Sequence, residues 1–337
     1  MTESRKGIVT AGTWCVDRNI GIEFWPGEDG LAEIDDIQPR GGGSGCNLAC
    51  DIRRLDPSIP VETIALVGDD ANGRLLLAQA DEFGIGRSRM IVAPDATTQC
   101  TDAYISRRSG RRTHIYLAGT ATLLTPDHFD LDGLTGRFFH LGLPGVHKLM
   151  DAPWQGDANG WVTVLKRARA AGLETNLELA SVERERLSAL AHACLPHLDM
   201  LIVNDTEIGA IGGEDTVQGG VTDVEACIRA ARSALDQGPM RLVVAHFPLG
   251  AVAVTREGAV VHRPSVRVPP EAVVSANGAG DAFAAGVVYG QHQGWSLEDS
   301  LSLAHASAAA SLRAMSTVDG MASWQECLDL AQRWGWR

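Results

Sequence analysis

A regular alternation of strand-like and helix-like segments is the feature that most restricts what this chain can fold into. The segments follow one another as strand 61–67, helix 73–83, strand 138–141, helix 160–171, strand 175–179, helix 182–193 and strand 200–203. Parallel strands joined by crossover helices form a doubly wound sheet, and ligands bind such sheets at the carboxyl ends of the strands. We therefore predict one α/β domain over residues 1–337 with a mostly parallel sheet.

Two segments interrupt this alternation. Residues 18–40 mix apolar residues with a Pro-Gly-Glu-Asp-Gly turn, and residues 97–117 alternate on both sides of an arginine-rich turn. Both patterns are typical of β-hairpins rather than helices. We predict that the two segments pair as a small β lid over the ligand site.

Composition narrows the range of partners and chemistry. The formal charge of −13 argues against nucleic acid or an anionic membrane as a partner. No lysine follows a glycine, which excludes the P-loop phosphate-binding motif. The seven cysteines form no Cys-x-x-Cys pair. These cysteines are typical of a reducing compartment. Since no signal-like or membrane-length apolar run occurs, we expect a cytoplasmic protein.

A glycine-rich loop near the C-terminal end, Gly278-Ala279-Gly280-Asp281, opens a helix of small and apolar residues. The bare backbone and the unpaired amides of the first helical turn favour a bound phosphate. A carboxylate at Asp281 would repel that phosphate unless it had a task, such as accepting a proton from a hydroxyl. A simple helix cap with close packing is the alternative interpretation of so short a string.

Two further polar motifs lie where ligands are expected. Gly42 and Gly43 allow close approach to a ligand, and Asn47 offers a donor and acceptors to hydroxyl groups, although Asn47 also fits a helix N-cap. Asn204 and Glu207 follow the strand at 200–203, and their spacing suits either hydrated Mg²⁺ or a capping box.

The loop at 278–281, together with Phe283, Ala285 and Gly286, resembles the signature of the ribokinase-like (PfkB) carbohydrate kinases. Other strings resemble motifs of the same family in the same order: Asp17, Gly42-Gly43-x-x-x-Asn47, Val67-Gly68-Asp69-Asp70-x-x-Gly73 and Asn204-x-x-Glu207. Ser275 and Ala276 stand where the family has Asp-Thr, and Gly250 alone remains of its nucleotide loop. The resemblance covers nearly the whole chain.

The resemblance implies a three-layer fold with a β lid, through which relatives often form dimers, and it implies ATP and Mg²⁺ as cofactors. It assigns Asp281 as the base and the amides of Gly278, Ala279, Gly280 and Asp281 as an anion hole. It assigns Asp17, Gly42, Gly43 and Asn47 to the sugar. It places Asn204, Glu207, Gly250, Gly278 and Gly280 at the nucleotide, with Asn204 and Glu207 holding Mg²⁺ through water. Any monovalent-cation site stays open, because the family builds it near the missing Asp-Thr.

We therefore predict ATP-dependent phosphorylation of a hydroxyl on a sugar or sugar-like molecule. The helix dipole should keep Asp281 ionised. A nucleoside kinase is the first alternative, with Trp14, Phe24 and Trp25 available to stack on a base. A non-catalytic sugar-binding protein on the same scaffold is the second.

Overall fold

The structure, a computed structural model, describes residues 6–109, 111–180 and 182–337, so residue 110 of the predicted second hairpin lies outside the described residues. In the described residues the helices are α1 Ser44–Leu55, α2 Ala71–Glu82, α3 Gly160–Ala170, α4 Arg184–Cys194, α5 Asp205–Gly212, α6 Val224–Asp236, α7 Ala279–His292, α8 Leu297–Ser311 and α9 Trp324–Trp334. The strands are β1 Ile8–Gly12, β2 Cys15–Ile22, β3 Ile34–Gly42, β4 Val61–Gly68, β5 Gly86–Ala93, β6 Cys100–Ser106, β7 Arg112–Leu117, β8 Phe138–Gly142, β9 Glu174–Leu177, β10 Met200–Asn204, β11 Val217–Gln218, β12 Val221–Thr222, β13 Leu242–Phe247, β14 Gly250–Thr255 and β15 Val260–Pro264.

A nine-stranded sheet organises the molecule, in the order β15-β14-β13-β10-β9-β8-β1-β4-β5. Every pair from β13 to β5 is parallel, whereas β14 and β15 are antiparallel additions at one edge. The order reverses at β1, which lies between β8 and β4. This arrangement confirms the predicted doubly wound, mostly parallel sheet and places a switch in strand order, where ligands bind, beside β1.

Helices cover both faces of this sheet, because its strands are apolar on both sides. Along β1, Ile8 packs into the core cluster with α1, α2, α7, α8 and α9. Its neighbour Val9 packs into the opposite cluster with α3, α4, α5 and α6. Successive strand residues point to opposite faces, so one strand supplies both cores of a three-layer fold.

The second, smaller sheet has the strand order β3-β2-β6-β7 and is built from the two segments predicted to form a lid. Strand β2 pairs antiparallel with β3 and parallel with β6, and β6 pairs antiparallel with β7. The hairpin β2–β3 leads directly into α1, so the small sheet adjoins the first turn of that helix.

Three local predictions are corrected. The apolar run at residues 7–13 predicts a first strand that ends near Asp17, but β1 ends at Gly12 and Asp17 lies within β2 of the small sheet. Asn47 is not a helix N-cap, because α1 begins at Ser44 with Gly43 as its cap residue. The pair Thr222 and Glu225 predicts a helix cap at Thr222, but the cap of α6 is Asp223, whose side chain accepts a hydrogen bond from the Ala226 N–H.

The described helices include none that is both long enough and apolar enough to cross a bilayer.

Candidate active site

The first turn of α7 carries the Gly-Ala-Gly-Asp string. Gly278 caps the helix with φ of 78°, a left-handed conformation that favours glycine, and a Cβ there would meet Thr317 at 2.8 Å. The N–H groups of Gly280 and Asp281 donate to no acceptor within the described part of the chain. A Cβ at Gly280 would meet only the His246 ring, at 3.6 Å, so protein packing does not require a glycine there. The turn therefore presents unpaired amides at the positive end of a helix.

Asp281 does not cap its own helix; it contacts the second glycine motif. The side-chain amide of Asn47 donates a hydrogen bond of 2.9 Å to Oδ2 of Asp281. Thr317 in turn donates from its hydroxyl to Oδ1 of Asn47 at 2.7 Å. Both polar atoms of the Asn47 side chain are thus engaged, which fixes the orientation of the amide against the carboxyl group of Asp281.

Asp17, another predicted sugar contact, lies against the loop before α1. A Cβ on Gly42 would stand 2.1 Å from Oδ2 of Asp17, so the bare backbone makes room for that carboxylate. Burial, followed by the charge of Asp17 and more weakly that of Asp281, raises the pKa of the Cys15 thiol well above its usual range. The Cys15 thiol also donates to Oδ1 of Asp17 at 3.6 Å, so Asp17 contacts both Cys15 and the loop that carries Gly42.

A residue that was not predicted from the sequence, Glu178, contacts Asp281. Glu178 comes directly after β9, and its carboxyl group is in hydrogen-bonding contact with that of Asp281. Oε2 of Glu178 also lies 2.9 Å from Nε2 of His140, a residue of β8. Position could have found Glu178, because polar residues at the carboxyl ends of parallel strands commonly face a ligand, whereas His140 lies in the middle of β8.

The expectation that the helix dipole keeps Asp281 ionised is opposed by these surroundings. Asp281 is only partly exposed, and burial, followed by the charge of Glu178, raises its pKa well above the usual range. Burial also raises the pKa of Glu178 to about 7. Two adjacent carboxyl groups disfavour double ionisation, which here outweighs the dipole of one helix terminus.

Asp51 adds a further carboxyl group one turn after Asn47 on α1. Its side chain is 0% exposed, and neither carboxylate oxygen has a hydrogen-bond partner within the described residues. Burial, then the charge of Asp281, raises the pKa of Asp51 well above its usual range. The side chain is therefore held neutral.

A cavity of about 510 Å³ opens on the other side of the α7 turn. It is mostly apolar and is lined by Asn204, Asp205, Thr206, His246, Phe247, Pro248, Ser265, Val266, Val268, Val273, Ala276, Ala279, Gly280, Phe283, His305, Ala308, Ala309, Leu312 and Arg337. Its polar lining includes Asn204, Asp205 and Thr206, and the backbone of Ala279 and Gly280 lines the same cavity. An apolar cleft with a few polar groups is typical of a cofactor site.

Asn204 and Glu207 form the capping box that was weighed as the alternative to a metal site. Oδ1 of Asn204 accepts from the Glu207 N–H at 2.9 Å, and Oε2 of Glu207 accepts from the Asn204 N–H at 2.9 Å. Asn204 lines the cavity, whereas Glu207 is buried behind it. Burial raises the pKa of Glu207 to about 7. Within the described residues no group of three or more His, Cys, Asp or Glu side chains is arranged to hold a metal directly.

The remaining positions considered from the sequence are Gly250 and the pair Ser275 and Ala276. Gly250 starts β14 and packs against Arg263, and it does not line the cavity. Ala276 lines the cavity, and the Ser275 hydroxyl accepts a hydrogen bond of 3.1 Å from the Asn277 N–H. The site therefore has two halves, with Asp17, Gly42, Gly43, Asn47 and Asp281 on one side of the α7 turn and the cavity on the other.

A profile of the pfkB family carbohydrate kinases matches residues 9–324. The chain belongs to this family. The match confirms the resemblance predicted from the sequence, including the class of enzyme, a phosphotransferase with an alcohol group as acceptor.

Individual pfkB-type relatives include both sugar and nucleoside kinases. An adenosine kinase of Saccharomyces cerevisiae is 25% identical over 289 residues, which is 85% of this chain and 81% of that protein. An adenosine kinase of Schizosaccharomyces pombe is 33% identical over 113 residues, but this match spans only 33% of either chain. The ribokinase of Arabidopsis thaliana, solved with ribose and ATP, has a TM-score of 0.80 at 21% identity, covering 98% of this chain and 99% of that one. At that identity the structural likeness shows the fold alone.

Proposed function

We propose that this pfkB-family protein phosphorylates a hydroxyl group of a sugar or sugar-like molecule with ATP. One observation carries the proposal: the first turn of α7 belongs to two sites at once. Ala279 and Gly280 line the cavity, while Asp281 is hydrogen-bonded to Asn47 of the other glycine motif. A phosphoryl group that crosses between the two sites would pass the unpaired amides of this turn.

The chemistry of the transfer follows from this arrangement. The O–H bond of the acceptor breaks and its proton passes to the Asp281 carboxylate. The freed electron pair of the oxygen forms a bond to the γ-phosphorus, and the bond from that phosphorus to the ADP oxygen breaks. The amides of Gly280 and Asp281 stabilise the charge on the equatorial phosphoryl oxygens, since such preorganised donors commonly supply much of the catalysis.

On the acceptor side, Asp17 and Asn47 would bind hydroxyl groups, with Gly42 and Gly43 leaving room for the substrate. Asn47 is already oriented by Thr317. A polar pocket that holds several hydroxyl groups suits a polyol better than an apolar alcohol, because unpaired buried polar groups are costly.

On the donor side, ATP would occupy the cavity, with the base against Phe283, Ala308 and Ala309 and the phosphates directed towards Ala279 and Gly280. Mg²⁺ would be held through water by Asn204 and Asp205, which line the cavity, with Glu207 behind them orienting Asn204 through the capping box. When bound, Mg²⁺ would neutralise charge on the phosphate oxygens.

The direct test is ADP release with Mg-ATP across pentoses, hexoses, keto-acid sugars and nucleosides, with and without EDTA. We expect EDTA-sensitive turnover on at least one free sugar. Sugar binding by calorimetry without ADP release would instead assign a non-catalytic sugar-binding role.

A nucleoside acceptor is the second candidate, favoured by the similarity to the two yeast adenosine kinases. Of the three aromatic residues considered for base stacking, Trp14 is in the core, where its Nε1 donates to the Thr63 hydroxyl at 2.8 Å. Phe24 is covered by Arg108, and Trp25 packs edge-on against Tyr104. Turnover on adenosine or inosine, but on no free sugar, would decide for this candidate.

A homodimer through the small sheet is also proposed. Paired residues of neighbouring strands share a face of a sheet, and strand residues alternate between faces, so Ile37, Ile115 and Leu117 lie on one face. These side chains are 53%, 54% and 52% exposed. An apolar face of this kind suits burial against a second copy of the chain.

A further inference from the structure

The contact between Glu178 and Asp281 joins distant parts of the chain at the proposed base. Glu178 extends from the end of β9, and Asp281 lies in the first turn of α7, yet their carboxyl groups are within hydrogen-bonding contact. The Glu178 side chain keeps 21% of its surface exposed, so it borders the open site rather than the core.

The imidazole of His140 contacts the Glu178 carboxyl group at Oε2. The imidazole is 1% exposed, with Nδ1 located 2.9 Å from the side-chain nitrogen of Asn176 and Nε2 located 2.9 Å from Oε2 of Glu178. Because an amide nitrogen only donates, Nδ1 is the acceptor and Nε2–H is the donor to Glu178 in this arrangement. Burial lowers the pKa of His140 to about 4, so the ring is neutral and supplies orientation rather than charge.

Two carboxyl groups in contact need a proton between them. Two negative charges in hydrogen-bonding contact repel each other and oppose double ionisation. A carboxylic acid that donates to a carboxylate instead makes a strong hydrogen bond. The other titratable groups that act on the pair are carboxyl groups of Asp51 on α1 and Glu207 on α5, and the thiol of Cys15 on β2. Each of these groups is neutral or negative, so they reinforce the need for a shared proton.

We propose that Glu178 is a positioning residue for the phosphoryl transfer: oriented by His140, its carboxyl group shares one proton with Asp281 and takes that proton over as the acceptor hydroxyl binds, which leaves the Asp281 carboxylate aimed at the hydroxyl. This inference rests on the proposed kinase function. Once the proton lies on Glu178, the hydrogen bonds from Glu178 and Asn47 occupy two of the roughly four lone-pair directions of the Asp281 carboxylate, and the others are open to the incoming hydroxyl.

The proton count follows directly. Before transfer the pair holds one proton. Burial raises the pKa of both groups, and the hydrogen bond between them raises that of Asp281 further but lowers that of Glu178, so the proton lies on Asp281 in the free protein and passes to Glu178 when the acceptor hydroxyl binds. When the acceptor O–H bond breaks, its proton passes to Asp281, and the pair then holds two protons and no charge. One proton must leave for solvent before the next turnover. The pair therefore titrates as a unit, and its state determines the acid limb of the rate profile.

The test uses Glu178→Gln, which retains a donor to Asp281 and an acceptor for His140 but removes the titrating group. We expect the acid limb of kcat/KM to move to lower pH by about one unit or more, because a neighbouring carboxyl group no longer raises the pKa of Asp281. Glu178→Ala, which also removes the orientation, should lower the plateau on the order of a hundredfold. Glu174→Gln, at the start of the same strand, is the matched control and should leave the acid limb in place.

An acid limb that Glu178→Gln does not move, or a Glu178→Ala plateau equal to that of the wild type, overturns the proposal. Absence of wild-type turnover on every acceptor would instead count against the kinase function. In that case the carboxyl ¹³C resonance of Asp281, assigned by its loss in Asp281→Asn, still decides. It should titrate above the usual aspartate range in the wild type and about one unit or more lower in Glu178→Gln. An ordinary aspartate titration in the wild-type protein contradicts the shared proton, even if the variants fail to fold.

Discussion

The side-chain nitrogen of Asn47 lies 2.9 Å from Oδ2 of Asp281, although 234 residues separate them in the chain. This bond joins the glycine-rich start of α1 to the glycine-rich start of α7. Since Asn47 also accepts from Thr317, its amide cannot rotate without losing two hydrogen bonds. The bond makes Asn47 both a proposed sugar ligand and a support for the proposed base.

Asn47→Ala should therefore impair both binding and chemistry. A hydrogen bond to a charged group contributes about 1.5–3 kcal/mol, so we expect kcat/KM for the acceptor to fall on the order of tenfold to a hundredfold. Steady-state kinetics at saturating ATP measure this. Thr317→Val should give a smaller loss in the same direction, because it leaves the donor to Asp281 in place. If Asn47→Ala matched the wild type in kcat/KM, the amide would have no role at the site.

Asp281→Asn should abolish turnover while nucleotide binding persists. The substitution keeps the shape of the side chain but removes the proton acceptor, and losing a group of this kind costs on the order of a hundredfold or more in rate. Turnover is measured by ADP release and nucleotide affinity by calorimetry. Equal loss of both would mean that the carboxyl group is structural.

Gly280→Ala should weaken ATP binding without lowering the stability of the fold. The added methyl group meets only the His246 ring, at 3.6 Å, and alanine is the better helix residue by about 1 kcal/mol. The melting temperature should therefore hold or rise, while KM for ATP rises on the order of tenfold through contact with the phosphates. Gly27→Ala, where a Cβ would meet nothing within 4 Å, is the control for both measurements. An unchanged KM would place the phosphates elsewhere.

Asp51→Asn should change how stability depends on pH. The folded pKa of Asp51 is raised, so the folded state holds a proton that the unfolded chain releases, and wild-type stability falls as pH rises above the unfolded pKa. The variant lacks this loss, so its free energy of unfolding relative to the wild type should increase as pH rises above about 4, by up to about 1.4 kcal/mol per pH unit, until the folded pKa is reached. Urea unfolding at a series of pH values measures this difference.

Asp56 follows the C-terminal end of the same helix, and its pKa is lowered rather than raised. Burial raises its pKa, but hydrogen bonds, chiefly from Ser58, outweigh this and lower the pKa overall. Asp56 therefore stabilises the fold above its unfolded pKa, and this contribution is lost as pH falls through the folded pKa. Asp56→Asn should be less stable than the wild type at neutral pH, and this difference should shrink in acid.

For Asp51→Asn, a difference from the wild type in the free energy of unfolding that did not change with pH would show that Asp51 is ionised in the fold.

Ile37→Lys with Ile115→Lys should weaken self-association. Two charges on the exposed apolar face of the small sheet oppose its burial against a second copy. Sedimentation velocity should show a dimer in the wild type and a monomer in the double variant. Val221→Lys, which changes a residue that is 66% exposed outside this sheet, should leave the association unchanged. A monomeric wild type at all concentrations would remove the proposal.

Much of the architecture was predictable because it depends on local pattern. The apolar runs and helical periods from residue 138 onwards become β8 to β10 with α3 and α4 between them, since burial on both faces requires such runs. The two segments that interrupt the alternation become the small sheet for the opposite reason, because their period of two and their turn residues do not suit a helix.

The candidate site was likewise predictable only in part. The residue types at 42–47, 204–207 and 278–281 were sufficient to nominate these positions, because bare backbone and short polar side chains have few structural uses in such patterns. The partners Glu178 and His140 were not predicted, and neither was the buried carboxyl group of Asp51. Glu178 is marked only by its position directly after β9, and His140 and Asp51 lie within β8 and α1 without any motif around them.

By itself the sequence determined which segments are strands and helices and which loops can admit an anion, because periodicity and residue chemistry act over a few neighbouring positions. The tertiary structure alone decided that β9 and β8 lie beside each other and close to α7, so that Glu178, His140 and Asp281 meet. It also decided the protonation of that cluster, because a pKa depends on burial and on charges brought together from distant parts of the chain.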